Sequence, residues 1–409
     1  MPLEAAPEWP GSIWIGTLDL TSDVSDDLVL ADAAGYSRAR LLIRSGRNPR
    51  GFVELDVHHG RVPESELRDA LAGLPEVDPP LAPGLDEPIS VVLCTRDRPE
   101  ALRAAIASLL QLNYTALEIV IVDNASATDA SQQVVAAVSD PRVRLVSEPR
   151  PGLARARNRG VLEASHDIVA FTDDDVVVDP DWLLGLMDGF SVAPDVMCVC
   201  GIVPSGELRS FPQAYFDSRV TWARSCVPAV YRLASPPDGQ VLFPFQVGQY
   251  GTGANFAMRR SAVLSLGGFD EALGVGSPTR GGEDIDMFVR GLLAGHALVY
   301  QPSALVWHRH RADMSALHEQ ISGYGLGLGA WIGKLLLDRR TAPMVLRRAG
   351  RGVLHARKMT RVAVESGEAP AGRGNGSLAA TELWAAVRGP LAYLRARRGG
   401  ARKSPLLGS

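Results

Sequence analysis

Residues 168–182 read I-V-A-F-T-D-D-D-V-V-V-D-P-D-W. The first four are a short apolar run of β-branched and aromatic type, which predicts a buried strand over Ile168–Phe171. The run passes directly into Asp173, Asp174 and Asp175. Three adjacent carboxylates repel one another and stay ionised only beside a cation. Hard Mg²⁺ or Mn²⁺ ions fit that need and keep coordination positions open for phosphate oxygens. The stretch therefore predicts a metal–phosphate site at the carboxyl end of a central strand, where open α/β sheets hold ligands. A solvated acidic turn leading into a capped helix at Asp179–Trp182 is the competing reading.

The neighbouring sequence decides between them. From Ile89 the chain alternates strands with helices. Strands are predicted at Ile89–Leu93, Glu118–Val122 and Val143–Val146 ahead of Ile168–Phe171. Helices are predicted at Pro99–Leu110, Ser126–Val138 and Leu153–Ala164. Such alternation implies right-handed crossovers and a parallel sheet. A polar cluster follows each strand in turn: C-T-R-D-R-P at 94–99, V-D-N-A-S at 122–126, Glu148 with P-G-L-A-R-A-R-N at 151–158, then the aspartates. Arginines at a helix start oppose the helix dipole, so Arg155 and Arg157 require an anionic partner or exposure.

Further along, G-T-G-A-N-F-A-M-R-R at 251–260 joins a glycine turn to an apolar run, letting backbone approach a ligand at Gly253 and Asn255. G-G-E-D-I-D at 281–286 opens a helix with one apolar face, and Asp286 can pair with Arg290 one turn on. Glu283 and Asp284 fit either dipole complements or a general base. Short strands at Val299–Tyr300 and Leu305–Trp307 lead to W-H-R-H-R at 307–311, where His308 or His310 would suit a metal–diphosphate site.

In this order the motifs resemble the nucleotide-sugar-dependent glycosyltransferases of family 2, from about Ile89 to Arg311. The resemblance implies a GT-A fold: a Rossmann-like, mainly parallel mixed α/β sheet flanked by helices. It also implies a metal-dependent, inverting transfer from a nucleoside-diphosphate sugar to a hydroxyl. Thr95, Arg96 and Asp123 would hold base and ribose, with Arg155 and Asn158 near the nucleotide. Asp173 and Asp175 would form the D-x-D pair, with Asp174 beside them and Mg²⁺ or Mn²⁺ on Asp173, Asp175 and His308. Asp284 would be the catalytic base, with Glu283 beside it. A sugar-phosphate nucleotidyltransferase is the alternative enzyme, but the T-R-D-R-P loop lacks the glycine-rich, lysine-bearing form such an enzyme wants. A membrane-docked scaffold without turnover is the alternative of another class.

Length and composition set the frame. The 409 residues suffice for two or three domains. We expect a strand-rich module at 1–74, a proline-rich linker at 75–88, the glycosyltransferase domain at 89–312 and a helical, basic extension at 313–409. The net charge of −4 is unevenly spread: residues 1–88 hold 16 acids against 7 bases, net −9, and residues 334–403 hold 16 bases against 4 acids, net +12. That basic end, mixed with apolar residues around Tyr324–Leu337, fits a polyanionic partner or peripheral contact with an anionic membrane, and equally a helical cap with a solvated basic face; nucleic acid is not expected. Ser366–Gly376 reads as a spacer. The four cysteines lack zinc-ligand spacing, and residues 1–8 lack the apolar core of a secretory leader, so a reducing cytoplasm is expected, at most at the inner face of the membrane. The acceptor stays open among a lipid-linked glycan, a polysaccharide and a small molecule.

Overall fold

The computed structural model describes residues 6–20, 26–75, 87–220, 224–240, 242–246, 248–348, 350 and 375–400, the side chains of 375–377 excepted. Most of the linker and nearly all of the 366–376 spacer lie outside the described residues.

β-Branched runs with turn residues between them build the amino-terminal module. Strands β1 (Trp14–Asp19), β3 (Arg38–Ser45) and β4 (Asn48–Asp56) form one small sheet, and β2 (Leu28–Val29) pairs β5 (Arg61–Val62). Helix α1 (Glu64–Ala72) closes a separate apolar core around Leu41, Ile43, Val62 and Leu67.

The large sheet has nine strands. β6 (Ile89–Thr95), β7 (Leu117–Asn124), β8 (Val143–Glu148) and β9 (Ile168–Asp173) run parallel in the order β8-β7-β6-β9. The sheet continues through β13 (Asn255–Arg259), antiparallel to β9, then β11 (Val196–Ile202), β14 (Ala297–His308) and β10 (Val176–Val178), with β12 (Ala229–Tyr231) also on β14. This is the mixed, mainly parallel α/β sheet expected from the sequence. Helices α2 (Pro99–Leu109), α3 (Ala130–Ala136) and α5 (Trp182–Ser191) cover one face. The other face carries α4 (Leu153–Glu163), α8 (Glu283–Leu293), α9 (Met314–Leu337) and α10 (Asn375–Arg398). Burial on both faces explains why β9 is an unbroken apolar run: Ile168, Val169, Ala170 and Phe171 are at most 1% exposed.

Two boundaries differ from expectation. The second crossover helix starts at Ala130, because Ser126 donates to Asp123 and accepts from the Asp97 N–H, so it ties two loops together instead of capping. The expected final pair of short strands is one twelve-residue strand, β14, which runs through Pro302 with register shifts against β11. Helices α6 (Phe211–Arg219) and α7 (Arg260–Ser265) complete the named elements.

Candidate active site

Strand register brings the polar clusters level. Thr95 pairs opposite Asp123, Cys94 opposite Asp173, and Asn124 opposite Glu148. Since side chains alternate along a strand, one residue of slip would turn these groups away. The sheet therefore presents one polar rim at the carboxyl ends of β6, β7, β8 and β9. On the far side, β10 pairs with β14 so that Val176 faces His308, which sets His308 beside Asp175. A cavity of about 700 Å³ opens on this rim, lined by Thr95, Arg96, Arg98, the three aspartates and His308.

The three aspartates meet different partners. Asp174 is buried, accepts from the Thr95 hydroxyl at 2.8 Å and from Arg98 at 2.9 Å. Arg98 also reaches Asp175 at 3.2 Å. Asp175 lies 3.2 Å from Nε2 of His308. Burial raises the Asp175 carboxyl, but His308, Arg98 and Arg311 outweigh it and hold the group well below the usual carboxylate range. Asp173 has the opposite balance: burial dominates over the attraction of Arg157 and pushes it up to about 6. His308 is raised despite burial because it faces Asp175, whereas His310, packed 4.5 Å from the Phe216 ring, is held down to about 3 by burial and by His308.

Behind the aspartates lies Arg157, 2% exposed. Its guanidinium donates to Glu283 at 2.8 Å and to the Gly253 carbonyl at 2.9 Å, and stands 3.5 Å from Asp173. The Gly253 N–H donates to Asp284 at 2.7 Å. One buried arginine and one glycine thus tie the D-D-D, E-D and G-T-G-A-N segments into a single cluster. A side chain at 253 would collide with Arg157 and Asp284, which explains the glycine. Burial and the charge of Asp284 push Glu283 up to about 7 against the pull of Arg157.

Other expected residues are spent elsewhere. The Asn158 amide is closed on the backbone N–H and C=O of Phe269, and Arg155 pairs with Glu271. Asn255 donates to the Ile202 and Ala304 carbonyls and accepts from Trp182 Nε1. These residues, like Asp123, Gly253, Glu283 and Asp284, do not line the cavity. Sequence reading passed over Arg157 and Arg98 as site residues, although an arginine near the start of α4 with no visible partner was the signal for the former. It also placed α9 outside the domain, yet Glu319, Gln320, Gly323 and Tyr324 of that helix line the cavity opposite the aspartates.

Among the described residues no three His, Cys, Asp or Glu side chains stand together as a metal cage. The donors fit a different design. Mg²⁺ and Mn²⁺ sites commonly use one or two carboxylates and complete their shell with substrate phosphates. Asp175 and His308 supply two donors at the cavity wall, and Arg96, Arg98, Arg280, Arg309 and Arg311 line the same space.

Residues 90–267 match the family described as glycosyl transferase family 2. This segment is a glycosyl transferase family 2 domain. The chain is 30% identical over 282 residues to the pre-mycofactocin glycosyltransferase of Mycobacterium tuberculosis, covering 68% of this chain and 54% of that protein. It is 28% identical over 190 residues to the glucosyl-dolichyl phosphate glucuronosyltransferase of Haloferax volcanii, covering 46% and 57%. The chain thus spans about half the length of the curated relatives it matches. Among solved structures it is similar to the mannosyltransferase PcManGT of Pyrobaculum calidifontis, in complex with GDP-Man and Mn²⁺, at a TM-score of 0.48 and 19% identity over 80% of this chain and 79% of that one. This family 2 domain contains the four strand-end clusters and the glycine turn, while the E-D helix α8 follows the matched segment.

Proposed function

We propose that the protein is an inverting glycosyltransferase that moves a sugar from a nucleoside-diphosphate sugar to a hydroxyl acceptor with Mg²⁺ or Mn²⁺. The observation that carries this is the joining of D-D-D to E-D through Arg157, in a chain with a family 2 domain, at the edge of a cation-lined cavity. Thr95 and Arg96, which line the cavity, would hold base and ribose together with Asp123, which lies opposite Thr95 on the neighbouring strand. Asp175 and His308 would hold the metal, with Asp173 beside them. The bound ion would offset the charge that develops on the departing diphosphate.

The chain's own residues divide the remaining work. Arg98 fixes the orientation of Asp174 and Asp175. The Gly253 N–H holds one oxygen of Asp284 and the Ile285 N–H the other, orienting a half-buried carboxylate whose remaining lone pairs would accept the proton of the attacking hydroxyl. Glu283 is committed to Arg157 and positions rather than reacts. Acceptor attack from the face opposite the leaving diphosphate inverts the anomeric carbon. The acceptor hydroxyl belongs to a glycan, glycolipid or natural product, approaching past Tyr324 and Gln320. The four cysteines are unpaired, in keeping with a cytoplasmic enzyme.

The test is thermal unfolding with each common nucleoside diphosphate, with and without Mn²⁺ or Mg²⁺. A metal-dependent rise with one nucleotide, abolished by Asp175→Ala, is expected and identifies the base. No rise with any pairing would return the protein to the scaffold reading.

A further inference from the structure

Helix α10 is packed on one side and bare on the other. Leu378, Ala385, Gly389, Ala392, Tyr393 and Ala396 are buried against the body. Tyr393 and Arg397 bond Asp270, and Glu382, the helix's single carboxylate, turns to Arg219. At 100° per residue the opposite face reads Leu383, Trp384, Val387, Leu391 and Leu394. These are 68%, 70%, 71%, 52% and 40% exposed. Singly exposed apolar residues are ordinary, but a continuous stripe with a tryptophan on a securely anchored helix marks an interaction surface. Arg388 and Arg395 are exposed along one edge of the same stripe, and Arg398 is exposed at its carboxyl-terminal end.

The adjoining helix extends the surface. Successive close approaches of Gly325 to Glu382, Gly329 to Ala386 and Gly333 to Pro390 show that α9 and α10 run parallel in contact. Leu336 and Leu337, 42% and 60% exposed, therefore come level with the carboxyl-terminal end of the stripe. At its other end the stripe starts beside Glu382, which backs the same turn of α9 that lines the cavity with Gly323 and Tyr324.

We propose that this face of α10 docks on an anionic lipid surface. The apolar stripe would sit at the boundary of headgroups and acyl chains, with the flanking arginines against lipid phosphates. Charge selects this occupant: the stripe is flanked by arginines, the one carboxylate of its helix is paired with Arg219, and the sequence from 334 to 403 holds 16 bases against 4 acids, net +12. Among the described residues no helix is long and apolar enough to cross a membrane, so the contact lies on the surface. Docking would leave the cavity mouth within a few turns of the lipid, where the acceptor of a membrane-bound substrate is presented. The inference rests on the exposed faces of α10 and the adjoining end of α9 and stands whether or not the cavity performs glycosyl transfer.

The experiment is co-sedimentation of the full chain with phosphatidylcholine vesicles and with vesicles containing phosphatidylglycerol, at low and high salt. Binding to the anionic vesicles, weakened by salt, is expected, with an at least tenfold weaker partition for Trp384→Ser/Val387→Ser and for Arg388→Glu/Arg395→Glu. Both variants change exposed side chains, and unaltered thermal midpoints would show that they fold. Nucleoside-diphosphate binding, measured on the same samples, reads the cavity separately. No binding to anionic vesicles, or equal binding by the folded variants, would overturn the proposal. A dimer in solution that Trp384→Ser/Val387→Ser splits would overturn it too, since a second copy would then cover the face.

Discussion

At the scale of single residues, Arg157 couples two carboxylates that would otherwise repel. It faces Glu283 and Asp173 with almost no access to water. Removing one partner of a buried pair costs about 3–5 kcal/mol, because the remaining charge stays desolvated. Arg157→Met should therefore lower stability by about that amount in urea unfolding, and Arg157→Lys by less, since it keeps the charge and loses the fork. Asp284→Asn belongs to the same cluster but tests chemistry. Its hydrogen bond from Gly253 can persist, so folding and nucleotide affinity should stay within about twofold, while kcat falls by about 10²-fold or more, the range of general-base loss. An equal loss of nucleotide binding would show that Asp284 positions the donor instead. The strand-end groups Thr95, Arg96 and Asp173–Asp175 were legible because a parallel sheet must expose something at each strand end. Asn158 and Asn255 were not separable from ligand contacts, since an amide that closes a distant backbone turn looks the same in sequence as one that binds a nucleotide.

At the scale of elements, the seam between α9 and α10 is a test of why the glycines recur. A side chain at Gly329 would place its first carbon 1.9 Å from the Ala386 carbonyl oxygen, and one at Gly325 would come 2.2 Å from that of Glu382. These are backbone atoms, so relief requires the helices to separate. Gly329→Val should detach α10, exposing residues 378–398 to hydrogen exchange while β6–β9 stay protected, and should break the Asp270–Arg397 contact. Protection unchanged along α10 would show that the seam yields without separating. The glycines at 325 and 329 were visible in the sequence, but their partner lies beyond a long intervening segment and nothing local names it; Gly327, between them, packs instead on Gly281 ahead of α8. The four parallel strands carried their own period and end signals, and their predicted cores match β6 to β9. β14 did not, because Pro302 reads as a break and is accommodated by the register shift against β11.

At the scale of the whole molecule, the amino-terminal module is fastened by three arginines to three buried acids of the large domain. Arg40 meets Asp217 at 2.8 Å, Arg44 meets Asp179 at 2.6 Å and Arg47 meets Asp188 at 2.9 Å. Asp179 closes the segment that begins with the three aspartates, so the module braces the back of β10 and the turn after it. Nothing in the sequence pairs these groups, which lie far apart along the chain, and the module's acidic net charge hides them. Each arginine is largely sheltered from water, so Arg47→Ala should cost about 3 kcal/mol by leaving Asp188 buried and uncompensated. Acid should loosen the same junction in a definite direction. Burial alone would raise Asp217, but Arg40, Ser205 and Arg224 outweigh it and hold its folded pKa below the usual value. The unfolded chain therefore binds the proton first as pH falls, and the stabilisation, complete above the ordinary carboxylate range, is lost below it. Asp217→Asn should be less stable than the parent at pH 7, and its midpoint should fall less steeply between about pH 5 and pH 3. Parallel curves for parent and variant would mean that Arg40 is held by Glu54 alone and that the module is docked by Arg44 and Arg47.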